Sequence, residues 1–316
     1  MAAVIEVQGL RKEYRRLRGG RTQAVDGLDL AVPEGGVFGF LGPNGAGKTT
    51  TIRCLLGLVR PTAGSCRLLG ADSQRDLARV IARVGSIVET PAMFPRFSGR
   101  RNLRLLGRLN GVGPKRVDEA LDRVGLGTRA NHLVKTYSLG MKQRLGVAAA
   151  LLKDPAVLIL DEPANGLDPA GIKEIRELLR SLGDEGRTVF VSSHQLGEVQ
   201  HVCDQVAILS RGRAVAAGPV DDVLARGRER GLVVRIGDRT PALDALQEAG
   251  IQAVAGEDED AIQVDLPAAE GARVTEVLAG KGLFLSELRP EEISLETVFL
   301  ELTQDQPEAQ APESSP

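Results

Sequence analysis

Cysteine is scarce in this sequence. Its three cysteines, Cys54, Cys66 and Cys203, lie far apart without C-x-x-C spacing, and any disulfide would leave one of them unpaired. This usage indicates a reducing cytoplasm rather than an oxidising compartment.

A membrane-spanning run and a secretory leader are also lacking. No apolar run in the sequence approaches the roughly 18 residues that a helix needs to cross a bilayer. The first residues, Met1 to Tyr14, contain Glu6 within their apolar stretch and no basic lead-in, which is typical of a strand rather than a signal peptide. If the protein works at a membrane, we therefore expect another chain to span it.

An excess of either charge is missing as well. The chain has 40 Lys and Arg residues against 42 Asp and Glu residues, a formal net charge of -2, which argues against a general nucleic-acid coat. The basic segment Arg11 to Arg18 is a possible contact for nucleic acid or a membrane surface. The balanced charge of the whole chain favours a solvated loop.

What the sequence does contain is a phosphate-binding loop that fits G-x-x-x-x-G-K-[ST] without a gap. An apolar strand, Val37 to Leu41, precedes it, and a helix beginning near Thr49 follows. The glycines free backbone N–H groups to point at a polyphosphate at the positive end of that helix. Lys48 is expected to reach the β- and γ-phosphates, and the Thr49 hydroxyl to bind Mg²⁺. The loop predicts ATP or GTP binding by Gly42, Pro43, Asn44, Gly45, Ala46, Gly47, Lys48, Thr49 and Thr50.

Short apolar runs alternate with helical stretches over the first two thirds of the chain, which predicts a largely parallel α/β sheet. The runs are Val4–Val7, Val37–Leu41, Val84–Val88, Val157–Leu160, Thr188–Val191 and Val206–Leu209. Between about residues 90 and 154 the strand pattern gives way to helical periodicity, so we expect a helical subdomain inserted into the sheet domain.

A second, smaller domain is predicted after a charged, glycine-containing linker at Ala225 to Gly231. Residues 232–288 have the order strand, helix, strand, strand, helix, strand, a split βαβ pattern. We therefore expect one domain over residues 1–225 and a small α+β domain over 226–302. The polar residues 303–316 predict a disordered tail.

Two adjacent acids follow a second buried strand, in the run Val157 to Pro163. Asp161 at the end of this strand is placed to hold Mg²⁺ opposite the phosphate loop. Glu162 is the candidate general base for a water aligned on the γ-phosphate.

More than a hundred residues separate Lys48 from Asp161, and a serine-glycine turn opens a helix just before the second strand. This turn, around Ser138 and Gly140, offers another N-terminal anion site. A small switch GTPase would need a much shorter separation.

In the order of these motifs, residues 1 to about 220 resemble the nucleotide-binding subunit of an ATP-binding cassette (ABC) transporter. The resemblance implies a P-loop ABC cassette, with a mostly parallel sheet core, an antiparallel β part and the inserted helices. It identifies Gly42–Thr50 as Walker A, Asp161 as the Walker B acid, Glu162 as the catalytic base, Ser138–Lys142 as the signature and Gly166–Pro169 as the D-loop. It also implies that His194 contacts the γ-phosphate and that Tyr14 stacks on adenine, which favours ATP over GTP.

The sequence departs from the family pattern in two places. Leu139 and Met141 replace a glycine and a glutamine of the usual signature, and Glu89 stands where a glutamine normally senses Mg²⁺. Glu89 can still offer an oxygen to the metal. Both departures, and the ending Ile293–Leu302, are similar to the bacitracin- and daunorubicin-resistance branch of exporter ATPases.

The resemblance implies ATP and Mg²⁺ as ligands, a second copy of the chain as partner in a head-to-tail ATP sandwich, and a separate transmembrane permease. It implies a position on the inner face of the cell membrane and export of a drug, antibiotic or lipid-like molecule. No nucleic-acid partner is expected. The alternatives are a soluble regulatory ABC ATPase, which usually carries two cassettes or long coiled coils, and an importer subunit.

Overall fold

The computed structural model describes residues 3–15, 19–88, 93–225, 231–256, 258–291 and 294–304. The chain folds into two compact units. The first unit runs to Val223, and the second begins at Leu224. The strands before this boundary are β1 Ala3–Arg15, β2 Arg21–Pro33, β3 Val37–Leu41, β4 Ala63–Leu68, β5 Ala71–Asp72, β6 Val84–Ile87, β7 Val157–Asp161, β8 Thr188–Ser193, β9 Gln205–Ser210 and β10 Arg213–Pro219. The helices up to the boundary are α1 Lys48–Leu55, α2 Gly99–Leu109, α3 Pro114–Arg123, α4 Leu139–Leu151, α5 Pro169–Asp184, α6 Leu196–Gln200 and α7 Val220–Leu224.

The core of the first unit is a six-stranded sheet in the order β10-β9-β3-β8-β7-β6. Strands β9, β3, β8, β7 and β6 run parallel, and β10 pairs antiparallel at the edge. Every residue of β3 and β7 is buried, as expected for strands packed on both faces. Phe190 of β8 stacks on Phe38 of β3, with ring centroids 5.8 Å apart. The predicted parallel α/β core is confirmed.

A second, antiparallel sheet has the order β2-β1-β4-β5. The prediction of a solvated loop for the basic segment is wrong for Arg11 to Arg15, which continue β1 and pair with β2. Backbone pairing and cross-strand ion pairs, such as Arg21 with Glu13 at 3.1 Å, stabilise this polar hairpin although it buries little apolar surface. Residues 16–18 lie outside the described part of the chain.

Three α-helices, α2, α3 and α4, occupy the described residues between β6 and β7, where the sequence predicts helical periodicity. Helix α4 packs closely on β6, because a Cβ atom at Gly85 would lie 2.3 Å from the Ala150 carbonyl oxygen. Only glycine permits this approach. Strand β6 ends one residue earlier than predicted, and Glu89 lies outside the described residues.

The second unit contains β11 Leu232–Ile236, α8 Arg239–Glu248, β12 Ala253–Ala255, β13 Ala261–Val264, α9 Gly271–Gly280, β14 Leu285–Pro290 and α10 Leu295–Gln304. Its strands form an antiparallel sheet in the order β12-β13-β11-β14. Alternate residues of β11 are buried with apolar residues of α8 and α9 in a separate core. The element order is the split βαβ order expected from the sequence. The predicted disordered tail is wrong for Thr303 and Gln304, which complete α10. Residues 226–230 of the predicted linker and 305–316 of the predicted tail lie outside the described residues.

All three cysteines are buried free thiols. Burial raises the pKa of the Cys66 thiol to about 12, so this group stays protonated at neutral pH. None of the helices in the described ranges is long and apolar enough to cross a membrane.

Asp204 holds the start of β3 beside β9. One of its carboxylate oxygens accepts the Val37 N–H at 2.8 Å, and the other accepts a hydrogen bond from Arg180 at 2.7 Å. Burial acts to raise the pKa of Asp204, but the Val37 N–H and the Arg180 guanidinium outweigh it and hold this pKa below its ordinary value. A lowered pKa means that the ionised carboxylate stabilises the fold above the unfolded-state pKa and that this contribution is lost as the pH falls through the folded-state pKa.

We expect Asp204→Ala to lower the free energy of unfolding by about 1–2 kcal/mol at pH 7, because the Val37 N–H loses its acceptor. The difference from the wild type should shrink as the pH falls from the ordinary aspartate pKa of about 4 through the lower folded-state pKa of Asp204, because the ionised carboxylate is then lost by protonation. Urea denaturation at pH 7 and pH 3 measures both effects. Asp184→Ala, which also removes a carboxylate paired with Arg180, is the matched control and should cost less. Equal losses of unfolding free energy in the two variants would contradict the stabilising role of the bond between Asp204 and the Val37 N–H.

Candidate active site

The carboxyl ends of three neighbouring parallel strands meet at one edge of the central sheet. Leu41, the last residue of β3, pairs with Ser193 of β8, and Asp161, the last residue of β7, pairs with Ser192 of β8. The segments that follow these strands are the phosphate loop, the Glu162 segment and His194. The sheet register therefore brings together residues that are far apart in the sequence.

Close backbone contacts hold the phosphate loop on both sides. Gly42 donates its N–H to the Ser193 carbonyl at 3.2 Å, and the Ala46 carbonyl accepts the N–H of Gly212 at 3.0 Å. Gly47, directly before α1, has φ +104°, and a Cβ there would lie 2.5 Å from the Ala24 carbonyl oxygen. Only glycine fits these contacts, and the loop remains at the N-terminus of α1, where an anion is stabilised.

The Lys48 side chain is buried, with 6% of its surface exposed. Its ammonium donates to the carbonyl oxygens of Gly42 at 2.6 Å and Pro43 at 3.3 Å, and lies 3.2 Å from Oε1 of Glu162. A buried ammonium is tolerated only with such compensation. The Lys48 ammonium therefore contacts both the phosphate loop and Glu162, the acid that follows β7.

Glu162 connects three parts of the site. Its Oε1 faces Lys48, and its Oε2 lies 2.7 Å from Nδ1 of His194. Its backbone has φ +49°, the left-handed region, and its N–H donates to the Ser192 hydroxyl at 3.0 Å. The same hydroxyl donates to Oδ1 of the buried Asp161 at 2.5 Å. The structure thus brings Lys48, Asp161, Glu162 and His194 together.

The oxygens available near the phosphate loop suit a hard cation. Thr49 follows Lys48 in the first turn of α1, and Asp161 offers a carboxylate at the end of β7. Within the described ranges, no cluster of three or more His, Cys, Asp or Glu residues could hold a metal by itself. A magnesium ion here would therefore take further oxygens from the nucleotide phosphates and water.

Known proteins resemble this chain over a range that includes the phosphate loop and the two acids. The ABC transporter family matches residues 25–165. The bacitracin transport ATP-binding protein BcrA of Bacillus licheniformis is 38% identical over 305 residues, which cover 96% of this chain and 98% of that protein. This chain belongs to the ABC transporter ATP-binding proteins. It is an ABC ATPase, and ATP is its nucleotide.

Two further relatives support the assignment. The daunorubicin resistance ATP-binding protein DrrA3 of Streptomyces coeruleorubidus is 41% identical over 250 residues, 78% of this chain and 74% of that protein. The solved structure of CbiO1 from Clostridium perfringens, part of the ABC transporter complex cbiONQ, has a TM-score of 0.62 at 30% identity, covering 71% of this chain and 92% of that one. The resemblance stated from the sequence is confirmed, and so is the ABC cassette fold.

The turn around Ser138 and Gly140, which the sequence predicts to be the family signature, contacts residues outside the phosphate loop. The Ser138 hydroxyl accepts the Met141 N–H at 3.2 Å and caps α4. A Cβ at Gly140 would lie 3.7 Å from Leu167, and one at Gly166 would lie 3.1 Å from Leu139. Leu139, the residue that departs from the family pattern, thus packs against the predicted D-loop of the same chain.

Tyr14 lies near the end of β1, opposite Thr22 of β2. The residue is 36% exposed, and the Lys12 ammonium lies 5.0 Å from the centroid of its ring. This places an exposed aromatic face on the antiparallel sheet, and its role against adenine stays a prediction.

Sequence reasoning missed Ser192, Ser193 and Gly212, which hold the predicted residues in place. A signal for the serines existed: the strand that begins at Thr188 ends in Ser-Ser-His, three polar residues after an apolar run. Gly212 lies in the turn between β9 and β10, and only the tertiary structure brings it to the phosphate loop.

We expect Lys48→Ala to weaken binding of a non-hydrolysable ATP analogue by about 100-fold, since it removes the buried charge that faces the loop. Isothermal titration calorimetry with Mg²⁺ present measures the affinity. Lys173→Ala removes an exposed lysine of α5 and should bind like the wild type. Unchanged affinity in Lys48→Ala would show that the loop does not hold the phosphates through this residue.

Proposed function

We propose that this ABC ATPase energises a separate membrane permease that exports a drug, antibiotic or lipid-like molecule, from a position on the cytoplasmic face of the cell membrane. The names of BcrA and DrrA3, bacitracin transport and daunorubicin resistance, support this substrate class. The chain itself contributes ATP binding and hydrolysis. The permease supplies the transport path.

The contact set of Glu162 is the observation that carries the catalytic part of the proposal. Its carboxylate lies between the Lys48 ammonium and the His194 ring, directly after Asp161. In this arrangement Glu162 acts as the general base for the water that attacks the γ-phosphorus. Lys48 stabilises the negative charge of the phosphates, and His194 orients the carboxylate and contacts the γ-phosphate.

Thr49 and Asp161 would hold Mg²⁺ through their oxygens, and Glu89 is proposed as a further oxygen donor. When bound, Mg²⁺ neutralises charge on the β- and γ-phosphate oxygens. The backbone N–H groups of the loop from Gly42 to Gly47 and the hydroxyl of Thr50 complete the phosphate contacts. Tyr14 stacks on the adenine ring.

We propose that two copies of the chain pair head to tail, each ATP lying between the phosphate loop of one copy and the signature turn of the other. Ser138 supports this geometry, because its hydroxyl oxygen accepts the Met141 N–H and leaves the hydroxyl proton for a phosphate. Gly140 allows close approach at the helix N-terminus. Closure excludes water from the γ-phosphate, and hydrolysis removes the contacts that keep the copies together.

The domain assignment belongs to the same proposal. Residues 1–225 form the catalytic domain, with residues of about 90–154 as its helical subdomain. Residues 226–302 form an accessory domain. The separate apolar cores of the two compact units support the division.

We expect Glu162→Gln to retain ATP binding and to lower kcat by about 100-fold or more, because the amide cannot accept the proton of the attacking water. The ATP-bound dimer should then accumulate, which light scattering after gel filtration in Mg²⁺ and ATP detects. Glu177→Gln, at an exposed position of α5, serves as the control. Turnover at the wild-type rate in Glu162→Gln would remove this residue from the catalytic role.

Export is tested with the membrane protein that co-purifies with the full chain. We expect cells that produce both proteins to accumulate less daunorubicin, measured by its fluorescence, than cells in which the chain carries Glu162→Gln. ATP-driven uptake would instead favour an importer. Capture of no membrane protein would favour a regulatory ABC ATPase.

A further inference from the structure

Ser192 has no role in the proposed function, yet its single hydroxyl bonds to the carboxylate of Asp161 and to the backbone N–H of Glu162. The side chain is fully buried near the end of β8, and its residue pairs with Asp161 in the parallel ladder. Its Oγ donates to Oδ1 of Asp161 at 2.5 Å and accepts the N–H of Glu162 at 3.0 Å. These two bonds determine the direction of the hydroxyl proton, which must point at Asp161 because the N–H of Glu162 occupies an acceptor position.

The bond to the Glu162 N–H acts at a strained position. Among the described residues, only four residues other than glycine have positive φ angles, and Glu162 at +49° is the one among the predicted catalytic residues. The left-handed conformation is unfavourable for a residue with a side chain. The Ser192 hydroxyl is a partner that helps to hold this conformation, which directs the carboxylate of Glu162 between Lys48 and His194.

We propose that Ser192 is a positioning residue for ATP hydrolysis: it orients the carboxylate of Asp161 toward the metal and holds the backbone of Glu162 so that its carboxylate faces the attacking water. The proposal rests on the proposed function, since it takes Asp161 as a metal ligand and Glu162 as the general base. An apolar residue at position 192 would leave a buried carboxylate oxygen and a backbone N–H without their partner. Ser192 itself contacts neither the nucleotide nor the water in this mechanism.

A purely structural role would predict a different pattern of effects. Thr188 begins the same strand, is 1% exposed, and its hydroxyl accepts the Gly35 N–H at 2.8 Å. It therefore offers a second buried hydroxyl on β8 with a comparable bond to a backbone N–H, at the end of the strand away from the acids. Thr188→Val removes this hydroxyl and keeps the shape of the side chain.

The experiment compares Ser192→Ala, Ser192→Thr and Thr188→Val in the full chain, by steady-state ATP hydrolysis over a range of Mg²⁺ concentrations. We expect Ser192→Ala to lower kcat about tenfold, equivalent to about 1.4 kcal/mol, and to raise the Mg²⁺ concentration for half-maximal activity. Its affinity for ATP without Mg²⁺ should change less than twofold, since Lys48 and the phosphate loop remain. Ser192→Thr, which keeps the hydroxyl, should restore both parameters, and Thr188→Val should leave both unchanged.

Two results would overturn the proposal. One is a Ser192→Ala protein with the wild-type kcat and Mg²⁺ dependence. The other is an equal loss in Thr188→Val, which would reduce the effect to strand stability. Thermal unfolding of each variant separates these cases from misfolding, and Ser192→Thr keeps the test decisive if Ser192→Ala unfolds.

The outcome is distinguishable from a failure of the proposed function. If Glu162→Gln hydrolyses ATP at the wild-type rate, the catalytic assignment fails regardless of Ser192. If Glu162→Gln is inactive and Ser192→Ala is unimpaired, only the positioning role is wrong.

Discussion

The parallel alignment of β3, β7 and β8 is the constraint on which the rest of the site depends. Leu41 pairs with Ser193, and Asp161 pairs with Ser192, so three strands end at the same level of the sheet. Buried aromatic and aliphatic side chains pack these strands from both faces. A slip of one residue would displace the phosphate loop from the acids, and it would also turn each packed side chain to the opposite face. Packing energy in the core thereby determines ångström-scale geometry at the edge.

Charge compensation links the segments that this alignment brings together. The Lys48 ammonium faces the Glu162 carboxylate, and the carboxylate faces His194. Each of these groups is largely withdrawn from water, so each depends on the others for stabilisation. Under the proposed function, the Lys48 ammonium binds the nucleotide phosphates instead of Glu162. The Glu162 carboxylate then becomes available to the attacking water. Binding and activation of the base would then be two consequences of one exchange of partners.

Local sequence patterns predicted much of the fold and of the site. The features that they missed depend on contacts between residues far apart in the sequence. The strand, loop and helix around Gly42 to Lys48 are contiguous, and so are β7 and its terminal acids, which makes both readable as motifs. The hairpin through Arg11 to Arg15 was predicted as a loop because its stabilisation comes from β2, whose register the basic segment does not reveal. Ser192 was missed for the same reason. The two serines at the end of β8 were a signal, but the proposed positioning role depends on the bonds of Ser192 to Asp161 and Glu162, which its own strand does not reveal.

The sequence by itself determined the family, the nucleotide, the order of elements and the identity of the charged residues, since each is encoded in a continuous stretch with a recognisable period or spacing. The tertiary structure alone decided that one carboxylate lies between Lys48 and His194, that Leu139 packs on Gly166, and that a single serine hydroxyl bonds to one carboxylate and one backbone N–H. These relations depend on sheet register and on backbone conformation, such as the left-handed Glu162. Both arise from the packing of the whole chain rather than from any segment of it.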